Sequence, residues 1–194
     1  MLISSMGVSV DGFVTDRDGG IDWGAPSEEQ LRFSHEQVGE LGGYLLGRRL
    51  YETMLPWETD PAMRATESLN AFADVWCALP KVVFSRTLDS VQGSARLAEA
   101  PLVEEVAAAL ASTDRDVSIG GADLLGQALE LDLLDEVRMF RSPVVLGGGT
   151  PYLPTVSWAV HLELVEMRRF DQVVYERYRR VLPEIDATAT GPST

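Results

Sequence analysis

Short apolar runs and amphipathic stretches take turns along the chain from Leu2 to Leu131, and their spacing sets out a series of strands and helices. Leu2–Val10 reads as a first strand, followed by a polar, glycine-bearing loop from Thr15 to Gly20 and then Ile21-Asp22-Trp23. Ser27 can cap a helix whose acidic first turn, Glu28 and Glu29, suits the helix dipole; that helix runs to about Leu41. Gly43–Gly47 reads as a short buried strand and Arg48–Met54 as a turn of helix. Ala65–Ala78 is a helix ending before Pro80, Lys81–Ser85 a strand, and Ala95–Ala98 a short further strand. Pro101 opens a helix to about Ala111, in the first-turn position that proline favours. Asp116–Ile119 is a strand and Ala122–Leu131 a helix. Beyond it the rhythm changes: Glu136–Phe140, Leu162–Phe170 and Gln172–Val181 are extended, the last two expected to pair antiparallel.

The sum predicts an α/β three-layer sandwich, with a mostly parallel central sheet, helices on both faces and an antiparallel C-terminal edge. The domain is expected over residues 1–182, and Pro183–Thr194, polar and without periodicity, as a disordered tail. In sheets of this kind ligands sit at the carboxyl ends of the strands, so the loops just after strands are the ones to read for chemistry.

Three such loops share a character. Gly47-Arg48-Arg49 follows the second strand, Ser85-Arg86-Thr87 the third, and Gly120-Gly121-Ala122-Asp123-Leu124 the strand at Val117. Each sets small residues or hydroxyls beside free helix N–H groups, and two add arginines, whose fork suits phosphate. Singly, a glycine doublet serves a turn and an arginine a solvated surface. Three at successive strand ends point to an anionic ligand.

Composition narrows the partners. At 194 residues and 45% hydrophobic the chain can bury a substantial core, and its formal charge of −14 argues against nucleic acid. Lys81 is the only lysine, so arginine carries nearly all the positive charge. Cys77 lies in the apolar stretch Ala73–Leu79 and reads as a buried structural thiol. With His35 and His161 far apart, no transition-metal site is expected. The single cysteine, the lack of a membrane-length apolar run and the lack of a basic secretory leader lead to a cytoplasmic expectation.

Ser9-Val10-Asp11-Gly12, Leu46–Glu52, Lys81–Leu88, Ile119–Ala122, Leu134-Asp135-Glu136 and Pro143–Gly148 occur in an order and spacing that resemble the dihydrofolate reductase superfamily. The resemblance is strongest to the branch holding the reductase domain of bifunctional riboflavin-biosynthesis enzymes and its free-standing relatives. It implies that Gly47, Arg48 and Arg49 hold NADPH phosphates, that Ser85, Arg86 and Thr87 surround the adenosine 2′-phosphate, and that Gly120–Leu124 lie under the pyrophosphate. Trp23-Gly24-Ala25-Pro26-Ser27-Glu28 resembles the stretch carrying the superfamily's tryptophan and pterin-binding acid. That makes Trp23 a substrate contact and Glu28 either a catalytic acid or simply a helix-start acid. Asp11 either lines the cleft as a second acid or braces the loop after the first strand. Folate reductases carry an arginine after their Leu-Pro, whereas Leu79-Pro80 here runs into Lys81, which argues against folate.

The resemblance implies an NADPH-dependent reductase acting on a small heterocyclic or sugar-linked substrate, similar to the 5-amino-6-(5-phosphoribosylamino)uracil reductase of riboflavin synthesis. It also implies a homodimer, for which the apolar Pro143–Leu146, if on a sheet edge, offers a contact. The alternatives are a nucleotide-binding protein without turnover and a true dihydrofolate reductase. A flavodoxin-like FMN protein ranks last, because an acid stands where its hydroxyl-rich phosphate loop would be.

Overall fold

The computed structural model describes residues 1–24 and 26–181, so the expected tail at Pro183–Thr194 lies outside the described residues. In chain order the main elements are β1 (Leu2–Ser9), α1 (Glu28–Gly39), β2 (Leu41–Gly47), α2 (Arg48–Met54), α3 (Pro56–Thr59) and α4 (Glu67–Ala78). They continue as β3 (Lys81–Phe84), β4 (Ala95–Leu97), α5 (Leu102–Ala111), β5 (Asp116–Gly120), α6 (Ala122–Glu130), β6 (Glu136–Ser142), β7 (Leu162–Phe170) and β8 (Val173–Arg180). One eight-stranded sheet has the order β4-β3-β2-β5-β1-β6-β8-β7. The strands from β4 to β6 run parallel, and β8 and β7 close that side antiparallel. The expected three-layer α/β sandwich is the one observed. The chain moves outward from β1 through β2, β3 and β4, returns to insert β5, and then crosses to β6. The crevice of such a sheet opens where that direction reverses, at the carboxyl ends of β5 and β1.

Side-chain alternation feeds two cores. Leu2, Val8, Leu45, Val117, Ile119, Val137 and Met139 pack beneath α5 and α6, through Leu102, Val106, Leu124, Leu125 and Leu129. Ile3, Leu46 and Val83 pack on the other face with Tyr51 of α2 and Phe72 and Trp76 of α4. On that same face α1 sets Phe33 against Tyr175, ring centroids 5.0 Å apart, with Phe140 and Phe170 beside them. At the amino ends of the strands the buried Glu136 is gripped by Arg138 at 2.7 Å and Arg177 at 2.8 Å, joining β6 to β8. No helix of the described residues is long and apolar enough to cross a membrane.

The structure departs from the sequence reading at several places, among them the unexpected α3. The first helix stops at Gly39, and β2 begins at Leu41, which pairs with Asp116 ahead of a register shift; burying Leu41 favours the strand. The helix expected from Ala65 starts at Glu67, because Thr66 takes an extended conformation and its hydroxyl accepts the Leu69 N–H at 3.2 Å. Pro143–Leu146 is not on a sheet edge. It leaves β6 in the interior of the sheet, and Val144 accepts a hydrogen bond from the Val10 N–H at 2.9 Å. The free edges are β4 and β7, and β7 exposes Leu164 and Met167.

Glu105 locks the turn after β4 to α5. Its buried carboxylate takes two guanidinium N–H bonds from Arg96, at 3.0 and 2.6 Å, and backbone N–H bonds from Glu99 and Ala100 at 2.8 and 3.2 Å. Arg96 first, then those backbone groups, outweigh burial and hold its pKa down from 4.5 to about 2. A depressed carboxylate stabilises the fold above its ordinary pKa and loses that contribution as pH falls through the folded value. Glu105→Gln is therefore expected to cost about 2 kcal/mol at pH 7. In urea unfolding, the gap to wild type should narrow as pH drops from 4.5 towards 2.

Candidate cofactor and substrate site

The ends of β2 and β5 meet backbone to backbone. Gly121 has φ +103°, and a Cβ there would stand 3.2 Å from Gly47 Cα and 3.4 Å from Gly47 N. Neither the conformation nor the space suits a side chain. Gly121 also caps α6 with no side chain of its own, so the first N–H groups of that helix, at Ala122, Asp123 and Leu124, have no side-chain cap. Leu124 points into the core, while Asp123 is exposed and accepts from Gln127 at 3.2 Å.

The third loop is an independent turn. Ser85 Oγ accepts the N–H groups of Thr87 at 3.1 Å and Leu88 at 3.0 Å. Arg48 crosses from the end of β2 to join it, donating through Nη1 to Thr87 Oγ1 at 2.5 Å and through Nε to Glu52 at 2.8 Å. Arg86 lies exposed beside them. Arg49 parts from its neighbour and lines a separate cavity with Thr15, Asp16, Arg17 and Thr150. The structure thus brings Gly47, Arg48, Ser85, Thr87, Gly120 and Gly121 to one region of the carboxyl edge and turns Arg49 towards the loop after β1.

Next to β5, the interior strand β1 is uncovered at one residue. Ile3, Ser5, Gly7 and Ser9 alternate on the face towards α1, and Gly7, in the middle of the sheet, is exposed, with nothing within 4 Å of a Cβ built there. An uncovered backbone on an interior strand is unusual, because such strands are normally roofed by side chains.

Asp11 is a brace. Its carboxylate accepts the N–H groups of Leu146 at 3.1 Å and Gly147 at 2.7 Å. The Ser9 hydroxyl first, and these two groups after it, draw its pKa below the ordinary carboxylate value. Arg17 donates to the Gly147 carbonyl at 2.5 Å, and Val14 N–H to the Thr150 carbonyl at 2.8 Å. The loops after β1 and β6 are thereby stitched together.

Trp23 and Glu28 are not brought together. A cavity of about 370 Å³ lies between the start of α1, the end of β6 and the β7–β8 turn, and Trp23, Gln30, Ser142, Pro143, Phe170 and Asp171 are among its walls. Glu28 is exposed and is not one of them. The reason is helical phase: α1 anchors inward through Phe33 and through Gln37, whose Nε2 donates to Tyr175 Oη at 2.8 Å. That face continues up to Gln30, and Glu28 lies about 200° further round. The Nε1 of Trp23 and the Oε1 of Gln30 are buried without a protein partner among the described residues. The sequence reading did not single out Gln30 or Ser142; the i, i+3, i+7 spacing of Gln30, Phe33 and Gln37 is the signal that identifies the inward face.

The RibD C-terminal domain family matches residues 1–175, and the chain belongs to that family. It is 29% identical to YyaP of Bacillus subtilis (strain 168), an uncharacterized protein, over 185 residues, spanning 90% of this chain and 93% of YyaP. A Shewanella sp. PV-4 protein provisionally assigned to riboflavin biosynthesis superposes with a TM-score of 0.76 at 23% identity, covering 93% of this chain and 99% of that one. Dihydrofolate reductase from Enterococcus faecalis, solved with NADP(H), superposes with a TM-score of 0.62 at 19% identity, covering 93% of this chain and 96% of that one. The fold is that of the dihydrofolate reductase-like and RibD-like reductases.

The glycine contact yields a stability test. Gly121→Ala forces a side chain into a left-handed backbone facing Gly47, and should lower unfolding free energy by about 1–3 kcal/mol. Any loss of ligand binding in a bulkier Gly121 variant will therefore combine steric block with damage to the loop. Urea melts of Gly121→Ala and wild type are the measurement.

Proposed function

We propose that the protein is an NADPH-dependent reductase that delivers hydride to a C=N or C=O bond of a small heterocyclic or sugar-linked substrate. The observation that carries this reading is the bare strand at Gly7, which opens between the anion-suited loops and the Trp23 cavity. Membership of the RibD C-terminal domain family supports it.

The residues fit such a cofactor. Gly47 and Gly121 let the backbone approach a pyrophosphate, and the uncapped N–H groups of Ala122, Asp123 and Leu124 suit its charge. Arg48, Ser85, Arg86 and Thr87 suit the 2′-phosphate that distinguishes NADPH from NADH. Arg49 is left to the Thr15–Gly19 loop. Gly7 leaves room for a flat ring against the sheet. NADPH, when bound, supplies the hydride; the chain's part is to position it and to exclude water.

In this reading neither acid donates the proton. Asp11 is engaged by two backbone N–H groups, and Glu28, exposed on the first turn of α1, is a helix-start acid. The proton then comes from solvent. Dihydrofolate is a poor candidate substrate, because the residue after Leu79-Pro80 is Lys81, which is buried in an ion pair with Glu58 at 2.9 Å and unable to clamp a glutamate tail. A homodimer, if formed, would use the β7 edge with Leu164 and Met167 and not Pro143–Leu146. Light scattering should then show a dimer mass that falls to monomer in Met167→Lys.

Calorimetry should find NADPH bound more tightly than NADH. Arg86→Ala should weaken NADPH by about ten- to a hundredfold, the loss of one charge-assisted phosphate contact, and leave NADH nearly unchanged. Gly7→Val should keep stability within about 1 kcal/mol, since valine suits a strand, yet abolish NADPH oxidation. Glu28→Gln should turn over like wild type. Equal affinity for the two cofactors would end the 2′-phosphate assignment. Tight NADPH binding without oxidation of any tested imine or ketone would favour the non-catalytic nucleotide-binding alternative.

A further inference from the structure

We infer that Glu52 is a positioning residue: it fixes the plane of the Arg48 guanidinium and through it sets the preference for a cofactor with a 2′-phosphate. The inference deepens the cofactor reading of this edge of the sheet and rests on it.

The rotation of α2 is decided from beneath. Tyr51 is buried, its Oη accepts the Gln92 N–H at 2.8 Å, and Leu50 packs on the same core. With that side turned inward, Arg48 and Glu52, about one helical turn apart, share the exposed side. Glu52 Oε1 accepts from Arg48 Nε at 2.8 Å, and Thr87 Oγ1 accepts from Arg48 Nη1 at 2.5 Å. Thr87 is itself placed by the turn in which Ser85 Oγ takes the N–H groups of Thr87 and Leu88. A guanidinium held at one nitrogen swivels; held at Nε and at Nη1 by two separate elements, its plane is fixed. The N–H bonds left over lie on Nη1 and Nη2, the end that forks onto a phosphate. The order of the pair runs against the helix. Helix electrostatics favour an acid near the N-terminus and a base near the C-terminus, so acid before base at i, i+4. α2 opens instead on Arg48, with no acid in its first turn. The two side chains are 47% and 42% exposed, and an ion pair so open to water adds little to stability. Neither helix formation nor folding accounts for the pair, and positions that break a local rule tend to serve a site. The same exposure screens the Glu52 carboxylate from a bound phosphate, so the gain from a fixed Arg48 outweighs the repulsion.

The experiment is calorimetric titration of the full chain with NADPH, NADH and adenosine 2′,5′-bisphosphate, with urea melts alongside. It compares wild type, Glu52→Ala, Glu52→Gln, Arg48→Ala and the double variant Arg48→Ala with Glu52→Ala. Glu52→Ala should weaken NADPH and the bisphosphate by about three- to tenfold and leave NADH within about twofold, because a free arginine then has to be ordered on binding. Its urea midpoint should match wild type. Glu52→Gln, whose side-chain carbonyl can still accept from Nε, should bind NADPH within about twofold of wild type. Once Arg48 is replaced, removing Glu52 as well should weaken NADPH no further, since nothing remains to be positioned. Four results would overturn the inference and leave the cofactor reading standing: NADPH affinity unchanged or raised in Glu52→Ala, equal losses for NADPH and NADH, no rescue by Gln, or a further loss in the double variant. Wild type that binds NADPH and NADH equally ends the 2′-phosphate reading and this inference with it.

Discussion

The carboxyl edge of the sheet depends on how closely the ends of β2 and β5 approach one another. Gly47 and Gly121 touch through their backbones, and Gly121 adopts a φ that only glycine takes without strain. Had Gly121 carried a side chain, the turn into α6 would have to shift away from Gly47 at the end of β2, from which Arg48 reaches Thr87. This contact therefore sets how the loops after β2 and β5 lie against one another.

Around that contact the chain uses local charge sparingly. A strongly acidic protein would repel an anion over most of its surface, so an anion-suited site needs fixed donors more than it needs net charge. Backbone N–H groups and hydroxyls supply most of them here. Arg48 is held in place by Thr87 and Glu52 together. On the opposite side of the crevice, Asp11 and Arg17 serve the backbone of the Gly147 loop. Charged side chains near this site hold loops in place.

The phase of α1 has chemical consequences. Once Phe33 enters the aromatic cluster with Phe140, Phe170 and Tyr175, the helix cannot also turn Glu28 inward. Gln30 lines the cavity where an acid was expected, and Trp23 Nε1 and Gln30 Oε1 are buried there without a partner among the described residues.

Much of this was legible in one dimension. The alternation of Leu2–Ser9, the short runs at Val117–Ile119 and Lys81–Phe84, and the glycines and hydroxyls that follow them mark strands and anion-suited loops, because periodicity and turn chemistry are local properties. The antiparallel pairing of β7 with β8 follows for the same reason. Helix phase and strand neighbours are not local. Glu28 and Gln30 look alike as first-turn polar residues until packing of Phe33 fixes the rotation of α1. Pro143–Leu146 looks like an edge strand until β8 takes the place beside β6. Gly7 looks like any strand glycine until the folded sheet leaves it uncovered. Sequence determined which segments carry the chemistry; tertiary packing decided which side chains face it, because only burial chooses among faces that are equivalent in an isolated helix or strand.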